Sequence, residues 1–160
     1  MYLFFCFSQS NKDSLRLKLV NADKIEIVSH EDLLLIKDKL GKSKSYYRKI
    51  VENQKPNKSI INERIKLNAE SINDLLKLLN GNPQTIIGYD LSCFEPHHTI
   101  LIYKKNKCSY LDICFECKKN SSSGDFLFNE NFMKSEEDWY NLEAFFRKSK
   151  IEYKMPKIKI

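Results

Sequence analysis

Glycine and proline are scarce in this chain, with four of each in 160 residues. Disordered and low-complexity segments draw heavily on both, so little of the sequence is available for linkers or unstructured tails. No apolar run reaches the roughly 18 residues that a membrane-crossing helix needs, and no segment repeats another. Tryptophan occurs once, yet ten Phe and eight Tyr help bring the apolar fraction to 42%, the value of an ordinary globular chain. A chain of this length suits one domain and buries about two thirds of its unfolded surface, so neither metal nor disulfide is needed to explain why it folds.

Acidic residues are the minority, 21 against 27 Lys and Arg, for a net charge of +6. A nucleic-acid partner would require those cations in a patch or stripe that releases counterions from phosphate. Here Lys outnumbers Arg and is interleaved with Asp and Glu along the whole chain, the pattern of a solvated surface. No specific nucleic acid and no transmembrane span are therefore expected, and the sequence names no other partner.

Met1–Ser10, MYLFFCFSQS, resembles the end of a bacterial export signal, a short apolar run followed by small or polar residues, without the basic residues that should precede it. Residues 1–10 are read as a clipped signal or, alternatively, a first strand; residues 11–160 are read as a single α+β domain. The two Phe before Cys6 are too large for the small-residue pattern ahead of a lipidated cysteine. Removing Cys6 with the signal would leave four cysteines, an even count that suits disulfides in an exported chain. A secreted, periplasmic or envelope location is the resulting expectation.

Period-two alternation at Leu15, Leu17 and Leu19, and again at Ile25 and Ile27, predicts a hairpin. Ser29 reads as the cap of a helix over His30–Leu40 with Gly41 as its stop, which leaves His30 a surface residue. A short helix is expected within Lys42–Asn57, a strand through Ile61–Leu67, and a helix capped by Asn68 with Ile72, Leu75, Leu76 and Leu79 on one stripe, ended by Asn80–Pro83. Thr85–Gly88 begins a β-rich half. Thr99–Tyr103 and Ser109–Phe115 form a hairpin about Lys104–Lys107, Asn120–Gly124 a flexible loop, and Phe126–Phe128 a short strand. Ser135 to Asp138 is a capping box opening a helix whose Trp139, Leu142, Phe145 and Phe146 face a core, and Ile151–Tyr153 reads as a closing strand. The fold class is α+β: a mostly antiparallel sheet with a central hairpin, covered by two or three helices.

The chemistry gathers in Asp90–Lys118, which holds four of the five cysteines and two of the three histidines. A turn centred near Asn106 places residue 98 opposite residues 113 to 115, so His97 and His98 arrive beside Cys114 at the open end of the hairpin. Cys117 follows one step on, and Cys93 sits four residues before His97 across Pro96. Cys108 lies at the turn end and cannot join them. C-x3-H-H and C-x2-C together offer the four N or S ligands of a tetrahedral zinc site, with Cys93, His97, His98, Cys114 and Cys117 as the candidates. Asp112 and Glu116 could orient an imidazole as carboxylates behind the ligands. Disulfide formation is an equal reading in an oxidising compartment. A thiol-dependent enzyme, using a Cys–His pair or a C-x-x-C redox couple, is the alternative function, although no helix begins at Cys114 to lower its pKa.

Cys93-Phe94-Glu95-Pro96-His97-His98, the strand Ile113-Cys114-Phe115-Glu116-Cys117 and the helix after Ser135 resemble a family of small uncharacterised bacterial exported proteins with a Cys-x-x-Pro-Arg/His segment and an Ile-Cys-Phe-x-Cys strand. The likeness spans about Cys93 to Tyr153. It implies export and a shared role for the cluster, and it names no activity. Arg often stands where this chain has His97, which makes His98 the better ligand on that resemblance. The expectation is a non-enzymatic exported or envelope-associated protein whose Cys/His cluster binds a zinc-like metal or carries disulfides.

Overall fold

A computed structural model describes residues 13–39, 42–79, 94–127 and 135–157. The expectations for Met1–Ser10, Thr85–Gly88, Cys93 and the helix stops at Gly41 and Asn80–Pro83 lie outside the described residues. In chain order the elements are β1 (Asp13–Ser14), α1 (Leu15–Val20), β2 (Lys24–His30), β3 (Leu34–Lys39), β4 (Lys42–Tyr47), β5 (Val51–Glu52) and β6 (Lys55–Pro56). They continue with β7 (Ile61–Lys66), α2 (Ala69–Leu78), β8 (His98–Lys104), β9 (Lys107–Cys114), β10 (Lys119–Ser122), β11 (Phe126–Leu127) and α3 (Glu136–Lys148).

The frame is a five-stranded antiparallel sheet in the order β10-β9-β8-β2-β7, with the β8–β9 hairpin at its heart. Small two-stranded pairings of β3 with β4, β5 with β6, and β1 with β11 stand beside it, the last of them parallel. The architecture is α+β, as the sequence predicts. Register then decides which side chains go where, because successive residues of a strand point to opposite faces. Ile25, Ile27 and Ser29 pair with Ile102, Ile100 and His98, and Ile100 and His98 pair with Leu111 and Ile113, so all of these share one face. Helices α1, α2 and α3 cover it with Leu15, Leu19, Leu75, Leu79, Trp139, Leu142 and Phe146. The opposite face carries Val28, Leu101 and Cys108 under Leu33, Ile50 and Ile60.

The β8–β9 hairpin, β7, α2 with its Asn68 cap and α3 with its Ser135–Asp138 capping box form as the sequence predicts. Leu15–Leu19 is helical rather than a strand. Positions 15 and 19 are one helical turn apart, so period-two alternation also satisfies an i, i+4 stripe; both are buried, Leu17 is exposed, and Ser14 caps the turn. The helix expected over His30–Leu40 is instead the end of β2 and then β3. Ser29 does not cap, because its hydroxyl is drawn to Glu63 of β7 at 2.5 Å while its backbone is paired on both sides. His30, expected on the surface, is consequently buried in the sheet. Lys42–Asn57 forms β4, β5 and β6 rather than a helix, and Lys119–Ser122 pairs with β9 where a flexible loop was expected. Ile151–Tyr153 leads into a turn and not a strand; Ile151 is buried beneath it.

Candidate functional site

Pro96 and His97 bring the chain into β8, and from there the pleat divides two adjacent imidazoles. His98 turns toward the helices. Its ring lies 5.1 Å from that of Phe115 and 5.9 Å from that of Phe146, and its Nε2 is 3.0 Å from the carbonyl oxygen of Tyr153. Burial among those rings disfavours the imidazolium and pulls its pKa down to about 4, against the opposing pull of the Tyr153 carbonyl. His98 is thus a neutral core histidine holding the chain that follows α3.

His97 turns the other way. Its backbone carbonyl accepts the His30 N–H at 2.9 Å, its ring meets that of His30 edge-on at 6.4 Å, and its Nδ1 is buried without a hydrogen-bond partner among the described residues. Asp32 Oδ1 is 3.7 Å away, too far for a hydrogen bond. One ligand atom each from Asp32, Glu95 and His97 lies within 4.8 Å of the others. Desolvation first, and then the Lys154 charge, lower the His97 pKa, so the ring presents a lone pair at neutral pH. Asp32 is held ionised chiefly by its pairing with Lys154. Beside this group lies a cavity of about 10 Å³ lined by Glu95, His97, His98, Cys114, Glu116 and Lys154. That is room for about one water-sized guest.

Of the residues expected to converge at the open end of the hairpin, His97, His98 and Cys114 line this cavity, with Glu116 beside them, while Cys117 does not. Among the described residues no cysteine, and not His98, joins the group at metal distance. Cys117 stands in the four-residue turn after β9, and its N–H donates to the Cys114 sulfur at 3.4 Å. No two cysteines among the described residues are at disulfide distance. Cys108, six residues from Cys114 along β9, is about 20 Å away at strand rise; burial pushes its thiol up to about 11, which keeps it protonated and inert.

Asp112 pairs with Thr99 on the face opposite His98, and its carboxyl meets the Thr99 hydroxyl at 2.6 Å. The same hydroxyl is 3.1 Å from His30 Nε2, while His30 Nδ1 is 2.9 Å from the Glu31 carbonyl oxygen. Proton counting constrains this chain. The Glu31 oxygen can only accept, so Nδ1 carries a proton, and one further proton must sit in each of the other two contacts. Either His30 is imidazolium facing a carboxylate, or neutral His30 accepts from Thr99, which accepts from a protonated Asp112. Below about pH 7 desolvation favours the second, lowering His30 to about 4 and raising Asp112 up to about 7; above it the ionised carboxylate accepts from the Thr99 hydroxyl.

Asp32, Glu95, His30 and Lys154 were not picked out in the sequence as site residues. Glu-x-His at 95–97 and His-x-Asp at 30–32 were the available signals, since residues two apart in extended chain share a side. Comparison of the chain with family models, curated proteins and solved structures finds no match. The reading of the site therefore rests on its chemistry.

Proposed function

We propose that this protein is a non-enzymatic, exported or envelope-associated protein that binds a zinc-like divalent ion through Asp32, Glu95 and His97. The observation that carries the reading is the buried Nδ1 of His97, without a hydrogen-bond partner among the described residues and set beside two carboxylates. A neutral imidazole with two carboxylates suits zinc, with the fourth position left to solvent. Two ligands bound at about 2.1 Å can be no more than ~4.2 Å apart, so the group must contract slightly from 4.8 Å. Asp32 and Glu95 are both partly or largely solvent-exposed and can rotate inward. The one-water cavity favours an ion over an organic substrate. The export half of the reading comes from the sequence, from Met1–Ser10 and from the resemblance over Cys93 to Tyr153.

Competition against a chromophoric zinc chelator tests this. One zinc per chain is expected, with affinity falling at least 10-fold in Asp32→Asn and at least 100-fold in His97→Ala. Retention of zinc by both variants together with its loss in Cys114→Ser would move the metal to the thiols expected from the sequence.

A second reading, a thiol couple at Cys114 and Cys117, is favoured by the Cys117 N–H on the Cys114 sulfur, a contact that strengthens when the sulfur is a thiolate. It requires Cys114 to form a mixed disulfide with a disulfide reagent and Cys117 to displace it, so Cys117→Ala, which keeps the backbone N–H, should trap the mixed disulfide at Cys114. Equal persistence of the mixed disulfide in both proteins would dismiss it.

A further inference from the structure

The cation that faces this group in the structure belongs to the chain itself. Residues after α3 form a strap across the open end of the sheet, and several independent contacts hold its backbone. Ile151 is buried in the core and its N–H donates to the Phe146 carbonyl at 3.1 Å. The Glu63 carboxylate, already accepting the Ser29 hydroxyl, accepts the N–H of Glu152 at 3.1 Å and of Tyr153 at 3.0 Å. The Tyr153 carbonyl faces His98 Nε2 at 3.0 Å, and Arg147 donates to the Pro156 carbonyl. Between these anchors Lys154 adopts a left-handed backbone conformation, φ 52°, which a lysine does not favour. That turn sends its ammonium onto Asp32 and into the cavity wall with Glu95 and His97.

We propose that Lys154 is a built-in counter-ion of the Asp32–Glu95–His97 site, and that a divalent ion binds there by exchange with it. This rests on the metal-site reading above. The anchors hold the backbone of the strap, so exchange needs only the flexible lysine side chain to swing into solvent, where a third of it already lies. No strap opening is required. The ammonium neutralises Asp32 and repels a second cation, so it lowers affinity and speeds release. Such a site serves reversible loading, as in a buffer or carrier, rather than permanent structural retention.

Zinc affinity of the full chain, measured by chelator competition for wild type, Lys154→Met, Lys154→Glu and His97→Ala, tests the exchange. Lys154→Met is expected to bind zinc at least 10-fold more tightly than wild type. Lys154→Glu, which adds a carboxylate, is expected to bind more tightly still, and both should release zinc to excess chelator more slowly. Unchanged or weaker binding in Lys154→Met and Lys154→Glu, while His97→Ala loses zinc, would overturn the exchange and leave the metal site standing. Equal zinc binding by all four proteins would overturn the site reading itself, and the exchange with it. Circular dichroism of the variants separates an affinity change from unfolding.

Discussion

Asp112→Asn is expected to stabilise the protein at pH 8 by up to about 4 kcal/mol and to lose that advantage by pH 4. The Asp112 pKa is raised from 3.8 to about 7 by burial, and each tenfold change in a protonation equilibrium is worth ~1.4 kcal/mol. An acid whose folded pKa lies above its unfolded value contributes its stability below the unfolded pKa. That contribution is lost as pH rises from about 4 through about 7. Asparagine carries no ionisation cost, and its amide N–H can donate to the Thr99 oxygen in place of the acid proton, so the chain to His30 stays satisfied. The other titratable groups close to Asp112 are His30 across Thr99 and the phenols of Tyr47 and Tyr110, both raised by desolvation and then by the Asp112 charge. Urea denaturation of both proteins at pH 4 and pH 8 measures the difference. A gain of the same size at both pH values, or a loss at pH 8, would show that burial does not raise the Asp112 pKa.

His30 makes the same chain respond in the opposite direction. Its folded pKa lies near 4, below the ordinary 6.5, so its contribution is present above 6.5 and lost as pH falls through 4. Between these limits the folded protein holds the chain's third proton on Asp112, whereas the unfolded chain holds it on His30. The two states bind equal numbers of protons, and the pair adds no slope to wild-type stability there. Asp112→Asn removes that cancellation, so the variant's stability should fall more steeply than wild type's from pH 6.5 to pH 4.

Phe146→Ala is expected to cost about 3–5 kcal/mol, a large share of the ~5–15 kcal/mol available to a domain of this kind. The side chain is fully buried, with its ring 5.4 Å from Phe115, 6.2 Å from Phe145 and 5.9 Å from His98. Truncation removes a large apolar surface and opens a cavity at the point where α3 meets the hairpin. It also strips one wall from His98, so the His98 pKa should rise from about 4 toward 6.5 in whatever population stays folded. Urea denaturation reads the first effect and the His98 ring resonances read the second. A loss below 1 kcal/mol with unchanged His98 titration would mean that the aromatic cluster does not set that environment.

The parts of the fold legible in the sequence are those whose signals are local. Asn68 and Ser135 announce α2 and α3 through the backbone groups they cap, and the apolar runs on either side of Lys104–Lys107 define a hairpin whose register follows from turn length. From that register alone His97 and His98 come to the end of β8 beside Cys114, and Cys108 goes to the far end. The leucine-rich stretches were ambiguous for two reasons: period two at Leu15–Leu19 contains i, i+4, and Leu33–Ile36 is an unbroken apolar run that fits either template. What resolved them was what each meets: the core of the large sheet for one, a paired strand for the other.

The tertiary structure alone decided the composition of the site. Asp32 and Lys154 stand 122 residues apart and meet only because Glu63 and His98 pin the strap across the sheet end. Nothing in the sequence around either residue marks it as the other's partner. His30 and Asp112 read locally as a surface residue and as a carboxylate behind the ligands, and became a buried proton-sharing chain only once Thr99 was placed between them. Spacing along a strand fixes which residues share a face; which charges meet there depends on segments brought in from elsewhere, by packing that no window of sequence contains.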